Sequence, residues 1–285
     1  MRENLNGIQA AYFIELLFEK EGTDIDAEKI SNLVSSNISE NEIVFDSDIF
    51  NIFFLKNYLI TNNDGVKSFT GLSISKNYLS FNKDEISDLE FSQYIYQPVY
   101  ENKENPNKLL NMCTKKLLLG DWMCACLPYK KRCFLLHKFI KLALTQFPEC
   151  KLIRVPSSGR LLTRDDFLNN PWPESISFIH EGITFRLFQI TDDKNPEYVA
   201  DTLGLYAIGL PDLQVHFHSL NPSDVINRLE DYAAYIFSKG DIIRDDEKVS
   251  GLSEDEFWYC QHDNSIIPPY RRVLDFEAGS FSPKI

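Results

Sequence analysis

From Asn221 to Gly240 the chain carries its clearest constraint on folding. Asn221 stands where a helix N-cap is wanted and Pro222 takes the first helical position. Val225, Ile226, Leu229, Tyr232, Ala233, Ile236 and Phe237 then recur with a helical period, and Lys239 and Gly240 supply the stop. An apolar helix face of this kind has to be buried against something. Most other apolar stretches read as strands. They are short, rich in aromatic and β-branched residues, and bounded by turn formers.

Ala10–Phe18, Glu42–Asp46, Ile49–Thr61, Val66–Ile74, Leu117–Leu127 and Leu152–Val155 are of this type. So are Ile176–Ile190 (with Glu181-Gly182 as a turn), Tyr198–Ile208, Leu213–Ser219 and two short runs at Asp241–Val249 and Glu256–Gln261. Further helices are expected after Thr23, with Ile30, Leu33 and Val34 on one face, and from Pro128 or Tyr129 to Phe147. Thr163 can cap a third over Arg164–Leu168. Helices are too few for a doubly wound parallel sheet. The pattern predicts an α+β fold, a mainly antiparallel or mixed sheet with about three to five helices. Residues 1–170 and 171–285 read as two α+β halves or as one continuous domain, with Gln97–Asn107 as a polar connector.

Hydrophobic residues at 44% and charged residues at 25% exclude whole-chain disorder. No apolar window reaches the roughly 18 residues of a membrane helix. The first residues lack the apolar core of a signal peptide. The six cysteines lie mostly in apolar runs without extracellular context, so reduced thiols and a cytoplasmic setting are expected. A net charge of −13 argues against nucleic-acid binding. The charge is uneven, with 16 acids and 5 bases from Asp192 to Asp263 but 10 bases and 2 acids from Lys108 to Arg154. Acidic faces of this sort suit a basic protein partner, or serve only to keep a surface solvated.

Chemistry-bearing patterns are sparse. His216 and His218 flank Phe217 on an expected strand and would share a face; Cys260 and His262 are the candidates in kind to complete a zinc set. The spacing fits no diagnostic metal motif, so no metal and no cofactor is assigned. Cys124 and Cys126 would share one face of a strand as packed thiols. Ser157-Ser158-Gly159-Arg160, expected between a strand and a helix, lacks the spacing of a phosphate loop and reads as a turn. No catalytic residue is assigned. Asp245, Asp246 and Glu247, with Glu254, Asp255 and Glu256, form two acidic runs beyond the Gly240 stop and are the expected partner-binding residues.

Thr202-Leu203-Gly204-Leu205 with Gly209, then Asp212-Leu213-Gln214-Val215, then the helix bearing Ala233, Ala234 and Tyr235, resemble the bacterial domain-of-unknown-function family 4261. Leu252-Ser253-Glu254 and Tyr270-Arg271-Arg272-Val273 complete the resemblance over residues 201–277, and a fainter likeness spans most of the chain. Where the family tends to read Gly-Asp-Thr, this chain has Asp246-Glu247-Lys248. The resemblance implies a fold and no settled activity. Its members are similar in size and setting to accessory and immunity proteins of toxin systems. Two functions are therefore carried forward. One is a non-enzymatic binding protein, such as an immunity or accessory factor neutralising a basic toxin. The other is a hydrolase-like enzyme using Asp or Glu with His216 or His218.

Overall fold

The structure, a computed structural model, describes residues 11–44, 47–61, 67–86, 95–96, 106–173, 176–191, 196–253 and 255–283. The chain divides into two compact units, residues 9–87 with 99–174, and residues 1–8 with 88–98 and 175–285.

In the first unit β1 (Phe13–Phe18) is followed by α1 (Ala27–Asn37), β2 (Asn41–Val44), β3 (Phe50–Thr61), β4 (Lys67–Ser75) and β5 (Leu79–Ser80). The segment Ile95–Tyr96 forms β6, which belongs to the second unit. Then come α2 (Pro106–Leu110), β7 (Lys115–Trp122), α3 (Tyr129–Gln146), β8 (Leu152–Val155), β9 (Arg160–Thr163) and α4 (Arg164–Leu168). The strands order β2-β3-β4-β7-β1-β8-β9, with β1 between β7 and β8. That central place explains why Leu16, Leu17 and Phe18 are all buried whichever face they take. Thr163 caps α4 in a reciprocal capping box with Asp166, as its sequence suggests.

The second unit contains α5 (Ser177–Gly182), β10 (Thr184–Gln189), β11 (Glu197–Leu203), β12 (Asp212–His218), α6 (Pro222–Lys239), β13 (Lys248–Ser250), β14 (Phe257–Asn264) and β15 (Arg272–Glu277). Its sheet runs β13-β14-β15-β12-β11-β10-β6. β12 and β15 pair in parallel while the neighbouring pairs are antiparallel, so the sheet is mixed. The fold is α+β, as the sequence predicts. α6 lies on the face bearing Val215, Phe217, Phe276 and Trp258; the Tyr232 and Phe276 rings stack at 4.9 Å. Asn221 caps α6 through the Ser223 amide, and Gly240 ends it at φ 90°.

Three expectations are corrected. The strand expected over Leu117–Leu127 stops at Trp122, because Met123 turns left-handed at φ 55° and starts a 3-10 turn over Cys124–Cys126. Cys124 is therefore buried and Cys126 exposed, and the two thiols do not share a strand face. Ile176–Ile190 is not strand throughout, since its first half is α5. Gly182 is that helix's last residue and not a turn; the Phe178 ring sits 2.6 Å from where a Cβ would be, so only glycine fits. The strand expected over Tyr198–Ile208 ends at Leu203, and Leu205–Ile208 forms a 3-10 turn between Gly204 and Gly209, both at positive φ. Of the expected connector, residues 97–105 lie outside the described residues, and α2 begins at Pro106.

Candidate functional site

The acidic runs lie where α6 hands over to the edge of the sheet. Asp245 accepts hydrogen bonds from the His262 backbone N–H (2.8 Å) and lies 2.7 Å from that ring's Nδ1, while Asp241 lies 2.9 Å from Nε2. The His262 backbone amide and then its ring hold the Asp245 carboxyl below the usual carboxylate range. Glu247 accepts from the Arg244 amide at 2.7 Å, closing its own turn. Glu256 accepts from the Leu252 amide (3.2 Å) and from indole Nε1 of buried Trp258 (2.6 Å). Three of the six candidate carboxylates thus tie the hairpin together. Asp246, at φ 64°, and Asp255 stay exposed, and Glu254 lies outside the described residues.

Beside this hairpin a cleft of about 360 Å³ opens between the C-terminal half of α6 and β13. Tyr232, Tyr235, Ile242, Val249 and Phe257 line it. Tyr235, Ile242 and Phe257 are each between 43% and 53% exposed, so they form an apolar patch open to water.

The opposite sheet face is polar and, in part, deeply buried. Register aligns Arg186, Asp201, Gln214, Asp275 and Gln261 across five strands. Arg186 Nε donates to Asp201 at 2.8 Å, Arg271 Nη2 donates to the same carboxylate at 2.8 Å, and Arg271 Nε donates to Asp212 at 2.8 Å. Asp212 also accepts from the Thr202 hydroxyl (2.9 Å) and the Leu205 amide (3.0 Å). The Thr202 hydroxyl in turn accepts from the Leu213 amide at 2.8 Å. Arg271 further donates to the carbonyls of Thr202 and Pro269. Two acids and two arginines make a neutral, hydrogen-bonded cluster, the condition for burying charge. Burial pushes the Asp212 carboxyl up against the pull of Arg271. For Arg271 desolvation is outweighed by Asp212 and Asp201, and its guanidinium stays charged.

His216 and His218 do share that face, but they do not converge. His216 Nε2 lies 3.2 Å from Glu197, and His218 Nδ1 lies 3.0 Å from Ser219. Cys260 and His262 are on the other face, by register with Phe276 and Leu274, so the sheet separates the four residues of the imagined zinc set. Among the described residues no group of three or more His, Cys, Asp or Glu is arranged to hold a metal. None of the six cysteines is in a disulfide, and burial pushes Cys124 to about 11 and Cys150 and Cys260 to about 12, which leaves those three as inert thiols. Ser157–Gly159 turns between β8 and β9, with Gly159 at φ 68°, so a strand and not a helix follows it. No helix among the described residues is long and apolar enough to cross a membrane.

Residues 201–277 match the model of a domain of unknown function (DUF4261). The match covers a segment of the chain and contains α6, the acidic hairpin, Asp201, Asp212 and Arg271. No curated protein matches the chain. No solved structure matches it either. Asp201, Thr202, Asp212, Gln214 and Arg271 of the matched segment are members of the buried polar assembly or its row, with Arg186 contributed from outside it. Sequence reasoning passed over Arg186, Asp201 and Asp212 as chemistry. Their one signal was charge inside otherwise apolar strands.

Proposed function

We propose that this protein acts in the cytoplasm by binding a basic protein, as an immunity or accessory factor that masks a toxin's working surface. The observation carrying this reading is the apolar cleft of Tyr235, Ile242 and Phe257, which Glu247 also lines, in a hairpin whose Asp246 and Asp255 are exposed. An apolar centre with a charged rim is the usual anatomy of a recognition surface, and the charge acts mainly on the association rate. The hairpin needs Asp245, Glu247 and Glu256 for its own shape, so the test spares them. Asp246→Asn with Asp255→Lys, measured against a basic partner co-purified from the native host, should slow association at low salt more than it speeds dissociation. An acidic partner, or an association rate unchanged by both substitutions, would sink this reading.

A second reading is favoured by one feature of the polar face. Burial raises the Asp275 carboxyl, the Gln214 hydrogen bond and nearby His216 pull it down, and Glu197 lies against His216. A carboxyl and an imidazole of this kind could support hydrolase-like acid–base chemistry. Turnover of any ester or phosphoester substrate that disappears in His216→Ala, with folding retained, would put this reading first.

A further inference from the structure

We infer that the cleft beside β13 receives an extended segment of the partner as an added strand, with apolar and basic residues alternating along it. The inference rests on the protein-binding reading and names the shape and chemistry of what is bound.

Among the described residues β13 is the last strand of its sheet and pairs only with β14. Cys260 donates its amide to Glu247 (2.9 Å), and Gly251 donates to Glu256 (2.7 Å). Those bonds set the parity of the ladder. The Glu247 C=O, Val249 and the Gly251 N–H face β14, the Glu247 N–H bonds the Arg244 carbonyl at 3.2 Å, and Lys248 and Ser250 turn their backbone groups outward. The Tyr232 hydroxyl donates to the Ser250 carbonyl at 2.6 Å, which accounts for one of the four outward groups. The N–H and C=O of Lys248 and the N–H of Ser250 have no protein partner among the described residues. An open edge of this kind is a template for another strand.

The surroundings specify that strand. Side chains of an extended segment alternate in direction, so every second one can enter the cleft against Tyr235, Ile242 and Phe257. The cleft's volume lies in the range, roughly 300–1,000 Å³, of sites that enclose small groups. Between Asp241 and Glu256 the sequence has seven acids and two bases, which calls for Lys or Arg in the intervening positions. The same charge argues against a second copy of this chain at β13, since edge-to-edge pairing would bring two acidic hairpins together.

The test selects ligands for the whole chain from a displayed random library of peptides of about ten residues, the upper length of common strands. Enriched peptides should alternate apolar and basic residues. Lys248→Pro removes the outward N–H without touching the inner ladder and should weaken them about tenfold or more. Lys248→Ala removes the same positive charge but keeps the N–H, and should bind them as well as or better than the parent. Thermal unfolding of both variants reports their folding. If Lys248→Pro does not fold, N-methylation of the peptide settles the matter on the unaltered protein: blocking the alternate amides that face β13 should abolish binding, and blocking the other set should not. Basic peptides without alternation that bind Lys248→Pro and Lys248→Ala equally, or that tolerate both N-methylation patterns, overturn strand addition and leave the acidic-surface reading standing. Enrichment of acidic or uncharged peptides, or no enrichment, overturns both. A dimer of the free chain that Lys248→Pro disrupts would give the edge to a second copy and overturn the inference.

Discussion

Asp201 and Asp212 come from the same acid-rich third of the chain as Asp246 and Asp255, and the two pairs end in opposite environments. The first pair has no solvent exposure and is held by Arg186 and Arg271, while the second is open to water. A plain count of acids treats the four alike. The difference comes from two arginines that lie outside the acid-rich window, one before it and one after it. Part of the negative charge that suggests a binding surface is therefore already neutralised inside the unit. The exposed acidic surface is therefore smaller than the count of acids implies.

The largest effect should come from breaking the buried side of this comparison. Arg271→Met leaves Asp212 without its guanidinium and Asp201 with one in place of two, and should cost about 3–5 kcal/mol in urea unfolding. A loss below about 0.5 kcal/mol, the usual surface range, would mean that the cluster is not structural. Within the hairpin the tethered carboxylates should differ from the free ones. Glu256→Ala leaves the buried Trp258 indole N–H without its acceptor and should cost about 1–3 kcal/mol, read by the same unfolding curve.

The pH profile separates the two kinds of carboxyl by sign. Asp275 is raised by burial, so it takes up a proton on folding, and its effect is a loss of stability as pH climbs from about 3.9 through the raised value. Asp275→Asn keeps an acceptor for Gln214 and should be more stable than the parent at pH 7, with the gain vanishing in acid. Asp245 is lowered, so its stabilisation is present above about 3.9 and lost as pH falls through the lower folded value. Asp245→Asn should therefore lose stability at neutral pH and converge on the parent in acid. The smallest effect belongs to the free carboxylates. Asp255→Lys should change stability by less than about 0.5 kcal/mol while making partner association slower at low salt.

Much of the local structure was legible because it is written in neighbouring residues. The cap at Asn221, the stop at Gly240 and the cap at Thr163 all appear where their side chains ask for them. The short 3-10 turns at Cys124–Cys126 and Leu205–Ile208 were not legible. Such turns carry no period, and the alternation before them continues smoothly into them. α5 was missed because its six residues make fewer than two turns, too few for a helical period to stand out from a strand.

The candidate site divides in the same way. The acidic hairpin was visible as two runs of charge beyond a helix stop. That Asp245 holds His262, 17 residues on, depends on the chain folding back through β13 and β14, whereas Glu256 holds the Trp258 indole only two residues away. Arg186 and Arg271 are 85 positions apart in sequence and meet at one carboxylate, Asp201, because β10 and β11 are neighbours and the chain returns to them just before β15. By itself the sequence determined the α+β class, the capped helix and the location of the acid-rich hairpin, since propensity, capping and charge are local properties. Which carboxylates are buried and neutralised, which remain free, and which strand edge stays open were decided only by the tertiary structure. Each of these depends on what a distant segment brings within hydrogen-bonding distance.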